Sequence, residues 1–348
     1  MKILILGNMG YVGPSVVNQL RETYPGGELI GYDIGYFAHC LSNASYLPET
    51  KLDKQIFGDI RKFPGELLES VDAIVDLAAI SNDPMGFRYE EITLDINYRA
   101  AVRLAKLAKD KGVKSFVYAS SCSMYGLADD HPRKESDKLN PLTAYARSKV
   151  MAEEELEPLA EAGFTITCPR FATACGWTNR LRLDLVLNDF VAGALVNKQI
   201  SILSDGTPWR PMINTKDMAR AIDWAVSRKT PNGGHFLAEN AGSNEWNNQV
   251  ITLAEAIASV IPGVEISLNP NAPPDKRSYR ASFDLFKTLA PNHQPQEDLI
   301  STVNDIKGNL VEMRFNDPNY RDSMLIRLKV LEHLQNKGML NSNLQWVI

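Results

Sequence analysis

The sequence begins with a short apolar run that leads directly into a glycine-rich turn. Residues 2–6 read KILIL, and glycines follow at positions 7, 10 and 13. An apolar run of this length predicts a buried β-strand, and the pattern of residues 11–22 predicts a helix. Gly7, Gly10 and Gly13 then form a strand-to-helix turn. Its backbone approaches a pyrophosphate closely, and the free N–H groups of the helix face that anion.

The alternation of apolar runs with helical patterns continues to about residue 170. The predicted strands cover residues 28–33, 54–59, 73–79, 115–120 and 164–169, and the predicted helices cover 93–111 and 141–161. Continuous apolar strands that alternate with helices predict a parallel sheet covered on both faces. Right-handed crossovers then give an α/β fold, a Rossmann-type doubly wound parallel sheet, which we expect to span residues 1–170.

The pattern changes in the second half of the chain. Prolines, a short strand at 200–203 and an isolated helix at 215–228 predict a smaller C-terminal substrate-binding lobe over residues 171–348. A last helix over 321–337 carries an apolar stripe made of Met324, Leu325, Leu328, Leu331 and Leu334. We expect this stripe to pack on the fold or on a second subunit.

The second predicted strand ends in Asp33, which points to the cofactor. A carboxylate at this position accepts hydrogen bonds from the hydroxyls of a ribose and repels a 2′-phosphate. The glycine turn and Asp33 together predict NAD rather than NADP.

Charge and cysteine usage exclude several classes of function. The net charge of −5 argues against nucleic acid or an anionic membrane as a partner. No apolar run approaches the roughly 18–20 residues that span a bilayer, and the first run is too short for a signal sequence. The four cysteines have no CxxC spacing and the five histidines are scattered, so no metal site is predicted. We expect a cytoplasmic protein with reduced cysteines.

Two further motifs complete a catalytic set. Tyr145 and Lys149 lie one helical turn apart on a predicted helix, so both project from the same face. Ser120 and Ser121 follow the fifth predicted strand, with Ser123 two residues later. With the GxxGxxG spacing of the glycine turn, these motifs resemble the extended short-chain dehydrogenase/reductases, in particular the NAD-dependent epimerase/dehydratase family that acts on nucleotide sugars. The resemblance covers residues 2 to about 285.

The chemistry of this family explains why these residue types occur together. A tyrosine with an unperturbed pKa near 10 is a poor base at about pH 7. The Lys149 ammonium stabilises the Tyr145 phenolate and lowers that pKa, and Lys149 also reaches the nicotinamide ribose. Ser121 hydrogen-bonds the substrate oxygen, and Ser123 is the alternative serine.

The resemblance also implies the residues that contact the cofactor. Asp59 and Ile60 match the acidic-apolar pair that contacts the adenine ring. Asn97 matches an asparagine that steadies the central helix and the active site. The remaining expected cofactor contacts are Tyr11 and Val12 in the glycine turn, Leu77, Ala78 and Ala79 after the fourth strand, and Ser120.

The substrate implied by the resemblance is a nucleotide-diphosphate sugar. Asn188 and Arg210 match family residues that contact its diphosphate, and Arg277 or Arg280 matches a second phosphate arginine. Two arginines would bind a diphosphate through charge-assisted, bidentate hydrogen bonds. Arg180 and Arg182 form an additional basic pair, for which a substrate contact and a solvated loop are equally open.

Among the reactions of the family, 4-epimerisation fits best. A 4,6-dehydratase uses an Asp-Glu pair directly after the catalytic threonine, where this chain has Cys122 and Ser123. The alternatives are a nucleotide-sugar 4-dehydrogenase or ketoreductase and, in a different class, a non-catalytic NAD sensor or a structural interaction protein. The family also implies a homodimer, joined by helices 93–111 and 141–161 in a four-helix bundle.

Overall fold

The main element of the fold is a seven-stranded parallel sheet in a computed structural model that describes residues 1–126, 131–269, 271 and 278–347. Its order is β11-β7-β5-β4-β1-β2-β3, and the two-residue strand β6 also pairs with β7. These strands are β1 (Lys2–Leu6), β2 (Glu28–Asp33), β3 (Lys54–Phe57), β4 (Ala73–Asp76), β5 (Ser115–Tyr118), β6 (Ser120–Ser121), β7 (Thr165–Phe171) and β11 (Phe236–Ala241). The predicted doubly wound parallel sheet is confirmed.

The sheet is buried on both faces, as its continuous apolar strands predict. In β1, Ile3 and Ile5 pack into one core, while Leu4 and Leu6 pack into the core on the opposite face. This division follows from the alternation of side chains along a strand.

Helices cover both faces of the sheet and fill the smaller lobe. They are α1 (Gly13–Thr23), α2 (Asp83–Arg88), α3 (Glu90–Leu94), α4 (Ala101–Asp110), α5 (Ala144–Leu156), α6 (Val186–Val196), α7 (Thr215–Ser227), α8 (Val250–Val260), α9 (Asp284–Leu289), α10 (Leu299–Glu312) and α11 (Arg327–Asn336). A π-helical segment, Asp95–Ala100, joins α3 to α4. No helix within the described parts of the chain is long and apolar enough to cross a membrane.

The smaller lobe contains the remaining strands. They are β8 (Thr173–Cys175), β9 (Gln199–Ile202), β10 (Trp209–Asn214), β12 (Asn247–Gln249) and β13 (Glu265–Leu268). One sheet has the order β12-β10-β8 and the other pairs β13 with β9. A third apolar core lies between these strands and helices α6, α8 and α10.

The expected division of the chain at residue 170 is not a clean boundary. Helix α7 packs against α1, and β11 pairs with β7 at the edge of the main sheet. The chain therefore returns from the lobe to the first domain, which the local pattern of residues 215–241 does not indicate.

Two predicted helices are shorter than expected. Helix α5 begins after Thr143, whose side chain caps the amide of Ala146, and it ends before Pro158, which cannot continue an α-helix. Helix α11 begins at Arg327 rather than Arg321, because residues 320–322 form a separate 3₁₀ turn.

The order of the strands creates a crevice between β1 and β4. From β1 the chain moves outward through β2 and β3, and it then continues on the other side of β1 with β4 and β5. In open α/β sheets, ligands bind at such a switch point, outside the carboxyl ends of the strands. Gly7 and Ala78 lie on its two sides.

Candidate active site

A single large cavity lies over the carboxyl ends of the main sheet and extends to the smaller lobe. Its volume is about 1120 Å³. This exceeds the roughly 300–1,000 Å³ of a typical small-molecule pocket, so it has room for more than one drug-sized ligand. The ends of β1, β2 and β4, helix α5 and the loop of residues 176–185 all contribute to its wall.

The glycine turn forms the floor of the cavity at the switch point. Gly7 has a φ of +76°, and a Cβ there would lie 2.7 Å from the Ala78 nitrogen. A Cβ on Gly13 would lie 1.9 Å from the Asn8 carbonyl oxygen. These two glycines allow close backbone packing. Gly10 lines the cavity, and a side chain there would extend into the space above α1.

Asp33 lies beside the glycine turn at the end of β2. Its carboxylate accepts hydrogen bonds from the Met9 amide at 2.9 Å and from the Gly35 amide at 2.7 Å. Burial raises its pKa, and these two bonds oppose the rise. Asp33 lines the cavity, as do Tyr11 and Val12 in the turn. This arrangement fits the ribose and pyrophosphate of a dinucleotide, which Gly10 leaves room for.

The predicted adenine pair also reaches the cavity. Asp59 and Ile60 both line it, and Asp59 forms an ion pair of 2.7 Å with Arg61. The three residues predicted to follow the fourth strand, Leu77, Ala78 and Ala79, lie across the switch point and line the cavity too.

Ser121, Tyr145 and Lys149 lie together on the cavity wall. Tyr145 is hydrogen-bonded to Ser121, whose hydroxyl donates to Ser123 at 3.0 Å. The Lys149 ammonium lies 5.7 Å from the centre of the Tyr145 ring and donates to the Ala119 carbonyl at 2.6 Å. Helix α5 thus presents Tyr145 and Lys149 on the face that the spacing predicts.

Burial dominates the electrostatics of this group. It raises the pKa of Tyr145, while the hydrogen bond with Ser121 and the positive charge of Arg182 lower it. Burial lowers the pKa of Lys149, and the nearby carboxylate of Asp76 raises it. Lys149 therefore depends on Asp76 to stay charged.

Asp76 is a residue that sequence reasoning missed. It is fully buried at the end of β4, where one oxygen accepts a hydrogen bond of 3.1 Å from the Ala78 amide. The other oxygen has no hydrogen-bond partner among the described residues. The signal was present, since an aspartate interrupts the apolar run AIVDLAA.

Asn97 does not line the cavity, although it was grouped with the cofactor contacts. It is fully buried in the π-helical segment. Its side chain accepts a hydrogen bond from the Ile80 amide at 2.8 Å and donates one to the Ile80 carbonyl at 3.0 Å. It also donates to Ser148, beside Lys149, at 3.1 Å. π-helical segments are often found at functional sites. Here the segment ties the loop after β4 to helix α5.

Ser120 lines the cavity, and its hydroxyl is bonded to a buried residue of the domain core. Its hydroxyl donates to Glu153, which forms a buried ion pair of 2.6 Å with Arg170. Ser120 is therefore anchored to the core of the domain.

The residues predicted to hold the substrate diphosphate divide into three groups. Arg210 lines the cavity from β10. Asn188 is fully buried and does not line it, because its side chain bonds Tyr11, Gly176 and the Arg182 carbonyl. Arg280 stacks on Trp209 at 5.0 Å, outside the cavity wall. Arg277 lies outside the described residues.

Arg180 and Arg182 are buried, so a solvated loop is wrong for both. Arg180 forms two bonds of 2.9 Å with Glu49 and also binds the Phe37 and Ala38 carbonyls. The 176–185 loop is thereby fixed across the cavity opening. Its other end is held by Tyr11, whose hydroxyl donates to the Gly176 carbonyl.

Arg182 lies inside the cavity wall. It forms a bidentate pair with Asp184, at 2.7 and 2.9 Å, and donates to Ser81 at 2.9 Å. Asn82 donates to the same carboxylate at 2.7 Å. This polar group lies close enough to Tyr145 to influence its pKa. The R-x-R-x-D sequence was the available signal.

Residues 339–347, the C-terminal segment, are bonded to residues near the end of the cavity that contains Asp33. The Tyr36 hydroxyl donates to the Leu344 carbonyl, and the Trp346 indole donates to the Ile34 carbonyl at 2.7 Å. Arg61 donates to the Asn343 carbonyl at 2.7 Å. No motif in the sequence predicts this contact, which joins residues about 300 positions apart.

Comparisons with known proteins agree with this geometry. The sequence family described as the NAD dependent epimerase/dehydratase family matches residues 3–238. A UDP-glucose 4-epimerase of Lactobacillus helveticus is 28% identical over 327 residues, which are 87% of this chain and 96% of that protein. UDP-glucuronic acid decarboxylase 3 of Arabidopsis thaliana is 26% identical over 297 residues, 83% of each chain. Among solved structures, MoeE5 in complex with UDP-glucuronic acid and NAD has a TM-score of 0.76 at 22% identity, over 90% of this chain and 99% of that one.

Proposed function

This chain belongs to the NAD dependent epimerase/dehydratase family, an extended short-chain dehydrogenase/reductase with NAD as its cofactor, and we propose that it is a nucleotide-sugar 4-epimerase. The nucleotide-sugar class follows the relatives, among them the UDP-glucose 4-epimerase of L. helveticus. The reaction would oxidise one sugar hydroxyl to a ketone and reduce it again on the opposite face.

The anchoring of two segments around the cofactor end of the cavity is the observation that carries this proposal. The 176–185 loop bridges from Tyr11 to Phe37, and the C-terminal segment binds Ile34 and Tyr36. A net dehydrogenase must exchange its nicotinamide cofactor in every turnover, whereas an epimerase regenerates it on the protein. A cofactor end bordered by firmly anchored segments favours the second kind of reaction.

The side chains on the cavity wall supply the proton transfer. A bound NAD would supply the acceptor and donor of the hydride that the reaction requires. Tyr145 removes the hydroxyl proton and later returns it, while Ser121 holds the same oxygen by a hydrogen bond. Lys149 stabilises the phenolate form of Tyr145, and Asp76 keeps Lys149 protonated.

We propose Arg210 as the main contact of the substrate diphosphate, because it reaches the cavity from the smaller lobe. Arg277 remains a second candidate. Arg280 and Asn188 would act indirectly, through Trp209 and through the position of Tyr11.

A 4,6-dehydratase is a weaker proposal for this cavity. The position that would carry an acid is Cys122, which is fully buried and donates its thiol to the Arg170 carbonyl at 2.9 Å. Burial raises the pKa of this thiol, so it has no role as a base near neutral pH. Ser123 next to it is not an acid.

We also propose a homodimer through the π-helical segment with α4 and through α5, which pack side by side. A cytoplasmic location suits the four cysteines, all of which are free and buried.

The reaction is tested by incubating the purified chain with a panel of nucleotide sugars and identifying the products by NMR. We expect an isomer of unchanged mass from one panel member, without net NADH formation. Loss of two hydrogens with accumulation of NADH would establish a net dehydrogenase instead.

Tyr145→Phe is the matched variant for this assay, since it keeps the ring and removes the hydroxyl. We expect turnover to fall by about 10²–10⁴-fold, the usual contribution of a general base, with NAD still bound. Unchanged NAD binding together with no turnover in either protein would favour the NAD sensor.

A further inference from the structure

Arg327 is a buried cation that has no acidic partner in the part of the chain that the structure describes. It is the first residue of α11 and is 1% exposed. One guanidinium nitrogen donates to the Arg180 carbonyl at 2.6 Å and to the Leu181 carbonyl at 3.3 Å. Nη1 has no hydrogen-bond partner among the described residues. The guanidinium also lies over the Phe37 ring, 4.8 Å from its centre.

The neighbouring charges do not neutralise Arg327. Arg180 is paired with Glu49, and Arg182 is paired with Asp184, so each nearby carboxylate already has its own arginine. Burial and the two arginines lower the pKa of Arg327 to about 10, which leaves it charged at neutral pH. A buried charge without a counter-charge is strongly unfavourable, and this cluster therefore needs an anion.

The position of Arg327 selects the anion. Arg327 is one of the residues that line the large cavity, as are Ile34, Tyr36 and Phe37. The glycine turn lines the same cavity, and the N-terminus of the helix that follows it also favours an anion. The chemistry common to the two ligands of the cavity is a diphosphate, which occurs in NAD and in a nucleotide sugar.

We propose that Arg327 binds the diphosphate of NAD, so that helix α11 completes the cofactor site. The cofactor is favoured over the sugar nucleotide because Arg327 packs on Phe37, in the loop that follows Asp33. Arg210 serves the other end of the cavity. The inference depends on the cofactor of the family and holds for any of the reactions considered above.

Binding to the NAD-free full-length chain tests this assignment. Isothermal titration is carried out with NAD, ADP-ribose, adenosine and UDP, on the natural chain and on Arg327→Met. We expect the variant to bind NAD and ADP-ribose about 10- to 100-fold more weakly, as for a lost hydrogen bond to a charged group. Adenosine and UDP, which lack the cofactor diphosphate, should bind equally well to both proteins.

Two further variants separate charge from shape. Arg327→Lys keeps the charge and should recover part of the lost affinity for ADP-ribose. Lys329→Met removes an exposed cation from the same helix and should change none of the four affinities. If Arg327 has only a structural role, Arg327→Met will weaken the binding of adenosine as much as that of ADP-ribose. This result would overturn the proposal.

Ligand-free stability gives an independent readout. Because an unpaired buried charge is removed, Arg327→Met should unfold at the same or a higher temperature than the natural chain when no ligand is present. The rise in melting temperature that NAD produces should be smaller in the variant. A weaker affinity for UDP, with ADP-ribose unchanged, would assign Arg327 to the substrate diphosphate and contradict the cofactor assignment.

Discussion

At the scale of single residues, the electrostatic influence of Asp76 on Lys149 bears on how the proposed base works. Lys149 lies 4.3 Å from the centre of the Tyr118 ring and has no carboxylate within ion-pair distance among the described residues. Burial lowers its pKa, and the Asp76 carboxylate opposes that effect. An aspartate inside an apolar strand is costly, which indicates that its charge has a use.

The Asp76→Asn variant should therefore change the pH dependence of turnover. Without the carboxylate, the pKa of Lys149 falls further, and the ammonium loses its proton at a lower pH. Tyr145 then loses its stabilising charge, so the alkaline limb of the kcat profile moves to lower pH. A shift of about one unit corresponds to a tenfold lower kcat on that limb.

The profile is measured on the substrate that the panel identifies. Asp72→Asn, at the opposite end of the same strand, is the control and should leave the profile unchanged. A uniform loss of activity at every pH would contradict the proposed effect on Lys149.

Glu239 is a buried acid whose environment favours the protonated form. Both of its oxygens lack hydrogen-bond partners among the described residues. Burial raises its pKa well above the usual 4.5, although Arg228 opposes the rise. The folded chain therefore binds a proton that the unfolded chain releases above that pH. Stability falls as the pH rises through this window, by at most about 1.4 kcal/mol per unit for one proton.

The Glu239→Gln variant removes this proton and should flatten the decline of stability above pH 4.5. Chemical denaturation at several pH values measures the free energy of unfolding of the variant and of the natural chain. The difference between the two should favour the variant increasingly as the pH rises above 4.5. Glu265→Gln, on an exposed glutamate, is the control. A difference that stays constant with pH would show that Glu239 is ionised in the fold.

At the scale of elements, the first strand, turn and helix were predictable because their signals are local. The period of the apolar residues and the three glycines determine β1, the turn and α1, and the structure confirms them. The catalytic face of α5 is also a local matter, since residues one turn apart share a face. Ser121, Tyr145 and Lys149 are therefore brought together as expected, while their roles remain predictions.

Other parts of the site depend on contacts that local patterns do not contain. The motif around Asn188 indicates a substrate contact, but the Asn188 side chain is hydrogen-bonded to Tyr11 and Gly176 instead. Arg182 and Asp184 pair inside the cavity wall, in a loop that Glu49 holds at Arg180 and Tyr11 holds at Gly176. Tertiary packing decides both outcomes.

The C-terminal segment is the element whose role is most directly testable. Trp346→Phe keeps an aromatic ring but removes the donor to the Ile34 carbonyl. We expect NAD to dissociate about 3- to 10-fold faster, since a net hydrogen bond contributes about 0.5–1.5 kcal/mol. The rate is measured by chasing bound NAD with excess unlabelled NAD.

A matched control lies in the same segment. Val347→Ala changes an exposed side chain and should leave the rate unchanged. Equal rates in the natural chain and in Trp346→Phe would show that the segment does not retain the cofactor, and would remove the main support for an epimerase.

At the scale of the whole molecule, the chain folds back twice onto its first domain. Strand β11 extends the main sheet, and helix α7 packs on one face of it. Helix α11 and the C-terminal segment pack on the opposite face. The second return buries Leu331, Leu340 and Leu344 against residues near the cofactor end of the cavity. Folding of α11 and the C-terminal segment and binding of NAD are therefore expected to stabilise each other.

The proposed dimer is tested at the centre of the outward face of α5. Met151 is an apolar side chain there, 36% exposed and surrounded by exposed charges such as Glu154, while Lys106 and Glu155 lie 4.0 Å apart at the edge. A partner would bury Met151, so Met151→Asp should place a charge in the interface and dissociate it. Sedimentation at micromolar concentration should give the mass of two chains for the natural protein and of one for the variant. Val311→Asp, on exposed α10 in the smaller lobe, should remain a dimer. A single-chain mass for the natural protein would instead mean that it is a monomer in which the charged residues around Met151 face water.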